Sequence, residues 1–295
     1  MIDFRFVVET SSPDFTIITA SRNYGRFIGE CLESVASQEG VTVEHLVIDA
    51  RSGDETSEVV GRFPRVHFVS EEDEGMCDGI NKGFRRARGK WVMWLNADDR
   101  LKPGALKAVK EFAGKNPAAD VIYGGWDFVS ERGERVRRMT VMPFHKASLI
   151  YLGCYIGSTA TFLRRKSTIH EGFLLNPSFK YVMDGEFYCR LSAAGKKFAY
   201  FHAILADFRI HGENTSLINH GKAKDIEGLL RAEYQFSESR AIKRFYGSSL
   251  TGKLMLDSVI HSLLFYLFLI RKGIVKRVYR LHHPLQELIP SQSKR

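Results

Sequence analysis

Short apolar runs alternate with amphipathic stretches through the first 125 residues of the chain. Short apolar runs bounded by polar residues are typical of buried strands, and apolar residues repeated at helical spacing are typical of helices packed on a sheet. The stretch 26–38, for example, places Phe27, Ile28, Cys31, Leu32 and Val35 on one helical stripe. The pattern predicts strands at 15–19, 45–48, 66–69, 91–95 and 121–123, and helices at 26–38, 54–63 and 76–88.

This alternation predicts an α/β fold with a mostly parallel, Rossmann-like sheet flanked by helices on both faces. Ligands bind such sheets outside the carboxyl ends of the strands. From residue 141 onward the pattern is looser. Asp184 is a candidate N-cap for a helix that continues to Ala194 and stops at Gly195, and 198–211 is strand-like.

Composition indicates a folded protein, because 44% of the residues are hydrophobic and 26% are charged. The four cysteines form no C-x-x-C pair, which excludes a zinc ribbon or a dithiol redox site and favours a reducing compartment. The first fifteen residues lack the basic start and long apolar run of a secretory signal. We therefore expect a cytoplasmic protein.

The net charge of +9 is concentrated at one end of the chain. Residues 240–295 contain eleven Lys or Arg and two acidic residues, so the rest of the chain is neutral. A nucleic-acid binder would carry a basic face on its folded domain, so we expect no nucleic-acid partner. The segment 254–281 mixes apolar and basic residues, as does a helix lying on an anionic membrane, but its longest unbroken apolar run, 263–270, is too short to span one. A solvated tail and a helix packed on the main domain are the alternatives.

Acidic residues follow two of the predicted strands. Asp49 ends one strand and precedes Ser52, and Asp98 and Asp99 follow another. Singly, each has an ordinary explanation as a turn or cap. Adjacent carboxylates repel unless a cation lies beside them, and Mg²⁺ or Mn²⁺ is bound through carboxylates and substrate phosphates. The chain has neither a P-loop nor a G-x-G-x-x-G motif, so neither an NTPase nor a dinucleotide dehydrogenase is indicated.

Several blocks, in order and spacing, resemble the family 2 glycosyltransferases, which are inverting enzymes with the GT-A fold. The first half carries TIITASRN, CLESVASQ, VIDARSGDET and SEEDEGMCDGINKGFRRARGKWVMWLNADD, and the second half carries STATFLRR, MDGEFYCRL and ADFRIHGENTS. The resemblance covers about residues 14–216. It implies transfer of a sugar from a nucleotide diphosphate sugar, with uridine as the default base, to a saccharide or lipid-linked saccharide acceptor in bacterial surface polysaccharide or lipopolysaccharide synthesis.

The resemblance also implies roles for individual residues. Asp99 is the expected ligand of Mn²⁺ or Mg²⁺, and Asp98 lies near the ribose or the metal. His211 matches a position that approaches the metal or the diphosphate in some members. The nucleotide and donor sugar are assigned to Thr19, Asn23, Asp49, Ser52, Asp73, Asp78, Asn81 and Lys82.

Asp184 matches the catalytic base of the family, which takes the proton of the acceptor hydroxyl. We expect it to lie across the sugar from Asp99 and not to bind the cation. Two departures from the family pattern bear on the donor sugar and the acceptor: Met76-Cys77 replaces an aliphatic and aromatic pair, and Met183 stands where many members have an acid.

We therefore predict a GT-A domain over 1–240, with a nucleotide-binding half at about 14–125 and an acceptor half at about 126–240. A basic amphipathic helical tail over 241–295 follows, and it would place the enzyme at the inner face of the plasma membrane. Two alternatives remain open. A nucleotidyltransferase would need a Gly-rich loop near the N-terminus, where Gly25 stands alone in TASRNYGRF. A catalytically inactive carbohydrate-binding protein of the same fold is the other.

Overall fold

The computed structural model describes residues 12–151, 153–211, 214 and 226–247. The predicted membrane-binding segment 254–281, and most of the predicted tail, lie outside this part of the chain. No helix within the described ranges is long and apolar enough to cross a membrane.

The described residues form one nine-stranded sheet, ordered β3-β2-β1-β4-β8-β6-β9-β5, with β7 paired to β6. The first four of these strands are parallel, β8 is antiparallel to β4 and β6, and β9 is parallel to β6. All five predicted strands are present, together with β5, β7 and β8, which no apolar pattern indicated. The bounds are β1 Phe15–Ser21, β2 Val43–Asp49, β3 Val66–Ser70, β4 Trp91–Trp94, β5 Arg100–Leu101, β6 Val121–Val129, β7 Arg135–Met139, β8 Thr161–Arg164 and β9 Phe198–Arg209.

Helices cover both faces of the sheet. Ile18 of β1 packs with Ile80 and Phe84 on one face, whereas Ile17 packs with Cys31 and Leu106 on the other. This alternation is the side-chain period of a strand buried on both sides. The helices are α1 Gly25–Ala36, α2 Thr56–Gly61, α3 Met76–Arg86, α4 Ala105–Lys115, α5 Lys146–Tyr151, α6 Met183–Ala193 and α7 Ile226–Gly247.

The predicted first helix is confirmed in detail, since all five residues of its apolar stripe are buried. α3 lies so close to β1 that a Cβ at Gly83 would collide with the Ile18 side chain. Glycine at this position therefore sets the depth at which α3 packs on the sheet.

Two predicted boundaries differ in the structure. α6 begins at Met183 with Val182 at its N-cap, so Asp184 is inside the first turn and is not the cap. The stop at Gly195 is confirmed by its positive φ of 78°. α7 continues through position 240, where the domain boundary was predicted, and its Ile242 is buried in the core.

Candidate functional site

The carboxyl ends of the central parallel strands meet at one edge of the sheet. Ser21 at the end of β1 is in register with Asp49 at the end of β2, and Ile18 is in register with Trp94 at the end of β4. The loops that follow β1, β2 and β4 therefore leave from the same edge. They carry Asn23, Ser52, Asp98 and Asp99.

Asp49 is buried and organises the first of these loops. Its Oδ2 accepts hydrogen bonds from the Ser52 N–H and the Ser70 hydroxyl, both at 2.9 Å, and its Oδ1 accepts one from the Ser52 hydroxyl. Asn23 joins the network, since its N–H donates to Ser52 Oγ at 2.7 Å and its Oδ1 accepts from the Gly53 N–H at 2.9 Å. Asn23 has a φ of 58°, a conformation that Asn tolerates better than most residues. The structure brings Asn23, Asp49 and Ser52 together, and their contact with a nucleotide stays a prediction.

Asp98 is buried and is held by residues that follow β9. Its Oδ2 accepts from His211 Nε2 at 2.8 Å and from Asn214 Nδ2 at 3.1 Å. The His211 ring is buried against Phe27, with ring centroids 4.8 Å apart. His211 thus lies beside Asp98, and this contact orients the carboxylate. A direct bond from His211 to a metal stays a prediction.

Asp99 is only 1% exposed. Its Oδ1 accepts from the backbone N–H of Arg209 at 3.0 Å, and its Oδ2 accepts from Asn96 Nδ2 at 2.9 Å. Burial, and then the neighbouring charge of Asp98, raise the pKa of Asp99 well above its usual range. A pair of carboxylates in this situation is stabilised when a cation shares it.

Arg209 is a site residue that the sequence reasoning missed. Its guanidinium is fully buried and donates to the Asp98 carbonyl oxygen at 2.9 Å, to the Glu131 carbonyl oxygen at 2.6 Å and to Glu30 Oε2 at 2.6 Å. A single arginine thereby fixes the loop that carries both aspartates. An arginine at the end of an apolar strand-like run, as in ADFRIH, was the available signal.

The donor set suits a hard divalent cation. Asp98 and Asp99 offer carboxylate oxygens, and Mg²⁺ or Mn²⁺ is commonly held by one or two carboxylates plus substrate phosphates. Within the described residues, no group of three or more His, Cys, Asp or Glu side chains is placed to hold a metal ion by itself. The two aspartates therefore fit a cation that is bound together with the phosphates of a ligand.

Asp184 lies in the first turn of α6 and is partly buried. Its Oδ1 accepts from the Gly185 N–H at 2.7 Å. Burial raises the pKa of Asp184 to about 6. A general base works best when its pKa is near the pH at which the enzyme operates. Glu186, two residues further along, accepts hydrogen bonds from Arg190 Nε at 2.9 Å and from the Tyr246 hydroxyl at 2.8 Å.

Thr19 does not contribute its side chain to this edge of the sheet, contrary to the sequence prediction. The residue is fully buried on β1, and its hydroxyl hydrogen-bonds His45 Nε2 at 3.0 Å. Burial lowers the pKa of His45 to about 3, so this ring is neutral. The strand alternation turns Thr19 toward α1, which explains why a residue near the end of a strand is part of the core.

The residues predicted on α3 divide into two groups. Asp78 and Lys82 form an ion pair at 3.1 Å. Burial acts to raise the pKa of Asp78, but the hydrogen bond from Lys82 helps to keep that pKa below its usual value. Asp73 accepts from the Gly75 N–H at 2.9 Å and shapes the loop before α3.

Asn81 is buried and does not join the Asp78–Lys82 ion pair. Its amide donates to the Leu175 carbonyl oxygen at 2.9 Å and accepts from the Leu175 N–H at 2.8 Å. Asn81 thereby fastens Leu175 to α3. At the Met76-Cys77 departure noted in the sequence, Met76 is 41% exposed at the start of α3 and Cys77 is buried.

Together, fold and site define an α/β protein with a ligand site at the carboxyl edge of a mostly parallel sheet. A sequence model of the family described as glycosyl transferase family 2 matches residues 16–173. The chain belongs to that family.

Relatives in the same family include bacterial proteins of polysaccharide synthesis. The chain is 25% identical over 246 residues to a chondroitin synthase of Escherichia coli. This match covers 81% of this chain and 35% of that protein. It is 29% identical over 194 residues to the succinoglycan biosynthesis protein ExoO of Rhizobium meliloti (strain 1021). This match covers 62% of this chain and 56% of that protein. The chain thus spans between about a third and just over half of the length of these relatives.

Solved structures agree with the fold. TarS 1–349 of S. aureus in complex with UDP-GlcNAc matches with a TM-score of 0.57 and 18% identity, over 68% of this chain and 60% of that one. The mannosyltransferase PcManGT of Pyrobaculum calidifontis, in complex with GDP-Man and Mn²⁺, matches with a TM-score of 0.54 and 16% identity, over 92% of this chain and 85% of that one. The predicted GT-A fold is confirmed.

Proposed function

We propose that this protein is an inverting, metal-dependent glycosyltransferase that moves a sugar from a nucleotide diphosphate sugar to an acceptor hydroxyl. The observation that carries the proposal is that the structure holds both an aspartate pair and a separate candidate base. A buried aspartate pair lies at the ligand-binding edge of the sheet, and a carboxylate with a raised pKa lies at the start of α6. Family membership and polysaccharide-synthesis relatives support this activity over nucleotidyl transfer or an inactive binding protein.

The donor would lie along the loops after β1, β2 and β4. The Asp49 network with Ser52 and Asn23 would hold the nucleoside, and a carboxylate is suited to accept the imide N–H of uracil. Asp73, Asp78 and Lys82 would border the donor at the start of α3. UDP-GlcNAc bound to TarS supports a uridine donor, while GDP-Man bound to PcManGT keeps guanosine as an outcome of a donor screen.

Asp98 and Asp99 would hold Mn²⁺ or Mg²⁺ together with the donor diphosphate. When bound, such a cation neutralises the charge that develops on the leaving diphosphate. Arg209, His211 and Asn214 keep the two carboxylates in place before the ligand arrives, so little reorganisation is needed on binding.

Asp184 would act as the general base. The acceptor oxygen attacks the anomeric carbon from the face opposite the diphosphate, the bond from that carbon to the diphosphate oxygen breaks, and the proton of the hydroxyl passes to the Asp184 carboxylate. Because attack and departure occur on opposite faces, the anomeric configuration inverts. With a pKa of about 6, Asp184 is largely ionised at neutral pH and able to accept that proton.

The acceptor would be a saccharide, free or lipid-linked, in bacterial surface polysaccharide or lipopolysaccharide synthesis. The basic, apolar segment 254–281 would hold the enzyme at the inner face of the membrane, where lipid-linked acceptors lie. Deleting residues 252–295 and measuring binding to anionic liposomes tests this part. Unchanged binding would remove the membrane role and leave the catalytic proposal intact.

A thermal-shift screen of nucleotide sugars with Mn²⁺ tests the donor directly. A ligand at a hundred times its Kd stabilises a protein by about 2.7 kcal/mol, which such a screen detects. We expect a metal-dependent shift with a uridine diphosphate sugar, and release of the nucleoside diphosphate once an acceptor is supplied. A shift only with nucleoside triphosphates, and no release from any diphosphate sugar, would overturn the proposal.

A further inference from the structure

α7 approaches the start of α6 through one glutamate that the site above does not use. Glu238 accepts three successive backbone N–H groups: Oε1 accepts from Lys180 at 2.7 Å, and Oε2 accepts from Tyr181 at 2.9 Å and Val182 at 3.0 Å. These three residues form the segment that leads directly into α6. One carboxylate from a distant part of the chain thus fixes the entry to that helix.

This arrangement differs from a local helix cap. The first N–H groups of a helix need acceptors, which a Ser, Thr, Asp or Asn at the N-cap normally supplies. The N-cap of α6 is Val182, whose side chain has no acceptor. Glu238 does not supply that acceptor. It accepts the N–H of Val182 and of the two residues before it, so it fixes the chain that enters α6, and its negative charge is favourable near a helix N-terminus.

Two further residues on the same face of α7 continue the contact. Glu238, Ile242 and Tyr246 are spaced four residues apart, which places them on one side of a helix. Ile242 is buried, and its Cδ1 lies 3.8 Å from the position that a Cβ would take on Gly185. The Tyr246 hydroxyl donates to Glu186 Oε1 at 2.8 Å. This face of α7 therefore holds residues on both sides of Asp184.

We infer that the Glu238, Ile242 and Tyr246 face of α7 positions Asp184 for proton transfer, with Glu238 as the principal positioning residue. The inference rests on the proposed function, because it needs Asp184 to be the base. A general base must lie within hydrogen-bond reach of the proton that it accepts, and a displacement of about 1 Å can cost on the order of a hundredfold in rate. α7 lies beyond the family-matched residues 16–173, so this support belongs to the part of the chain that the family match leaves out.

Glu238→Gln tests the inference. Glutamine has one carbonyl oxygen for three N–H groups, and its own NH₂ would face one of them. We expect kcat to fall about tenfold while the donor KM stays within about twofold, because the donor loops are unchanged. Glu111→Gln, the same substitution on the exposed face of α4, is the matched control and should leave both parameters unchanged. Tyr246→Phe is a second variant that keeps the ring and removes the bond to Glu186, and it should also lower kcat.

A double variant separates positioning from a general structural effect. Asp184→Asn should be slow by itself, and Glu238→Gln added to it should cause no further loss, because the misplaced group is already absent. The inference would be overturned if the losses of the two single variants multiplied in the double variant, or if Glu238→Gln kept a normal kcat. If Asp184→Asn turns over normally, the proposed base is wrong and the inference fails with it. If Asp184→Asn is slow and Glu238→Gln is normal, the inference alone fails.

Discussion

The backbone N–H of Arg209 lies 3.0 Å from Asp99 Oδ1, and the guanidinium of the same residue donates to the carbonyl oxygen of Asp98. Both aspartates are therefore fixed by one residue at the end of β9. The remaining guanidinium nitrogens reach Glu30 and Glu131. Arg209 thus ties the loop after β4 to α1 and to the turn between β6 and β7.

Replacing Arg209 by Met should destabilise the fold strongly. The change removes a buried guanidinium and leaves the Asp98 and Glu131 carbonyl oxygens without their donors, at a cost of about 1–3 kcal/mol for each buried acceptor. Chemical denaturation measures the free energy of unfolding. Arg62→Met is the control, because its ion pair with Glu58 is exposed and worth about 1 kcal/mol or less. Equal losses in the two variants would contradict the role given to Arg209.

Asp99→Asn should abolish the metal dependence of donor binding. In the wild-type protein, we expect removal of divalent ions by EDTA to weaken binding of a uridine diphosphate sugar by at least about tenfold, because the diphosphate then meets the carboxylates directly. In the variant, titration calorimetry with and without Mn²⁺ should give similar affinities. If adding Mn²⁺ still raised the affinity of the variant for the donor, the metal would be bound by residues other than Asp99.

Asp184→Asn should lower kcat by about a hundredfold or more, with donor affinity maintained, because only proton transfer is lost. The wild-type rate should rise with pH through about 6 as the carboxyl ionises, and then level off. The residual rate of the variant should lack this acidic limb. Steady-state rates between pH 5 and 8, each with donor affinity measured in parallel, check both statements. Loss of donor binding in the variant would show that Asp184 has another role.

The same substitution should stabilise the protein at neutral pH. Burial raises the pKa of Asp184 in the folded state to about 6, from its ordinary value of 3.8, so the folded state binds the proton more tightly than the unfolded chain does. This stabilising contribution is complete below the unfolded value and is lost as pH rises through about 6. At pH 7 the neutral Asn should therefore gain about 3 kcal/mol, and at pH 3 it should gain nothing. Thermal unfolding at the two pH values measures the difference, and an equal effect at both would contradict the burial of this charge.

Thr19→Val should affect stability and leave donor use unchanged. The hydroxyl of Thr19 bonds His45 inside the core, so its loss leaves a buried ring nitrogen without its partner, at a cost of about 1–3 kcal/mol. The donor KM should stay at the wild-type value. Thr19→Ser, which keeps the hydroxyl, is the matched control. A large rise in donor KM for Thr19→Val alone would restore the nucleotide contact predicted from sequence.

The parallel half of the fold was readable from the sequence because its strands are buried on both faces and its helices carry clear apolar stripes. β1 and α1 are examples, since their apolar positions are buried in the core. β5 has two residues, and β7 alternates arginine with apolar residues, so neither carries an apolar run. Their pairing with β9 and β6 is a tertiary effect that local pattern does not encode.

Site prediction followed the same division. Asp49, Asp98, Asp99 and Asp184 were identifiable because carboxylates at strand and helix ends form a local pattern. The Thr19 side chain faces the core because side chains alternate along a strand, and the Asn81 amide binds Leu175, a partner 94 positions away. Arg209 and Glu238 act through contacts with residues more than fifty positions away. No spacing within the sequence reveals such partners.

The bond between His211 and Asp98 joins residues 113 positions apart, and it forms beside β9, which reaches its place by pairing with β5 and β6. During synthesis the aspartate loop leaves the ribosome long before the strand that completes it. Contacts that close such long stretches form late, after more local structure has been built. A nascent chain that lacks β9 would therefore already contain the parallel strands, yet it would lack the contacts that hold Asp98 and Asp99 in place.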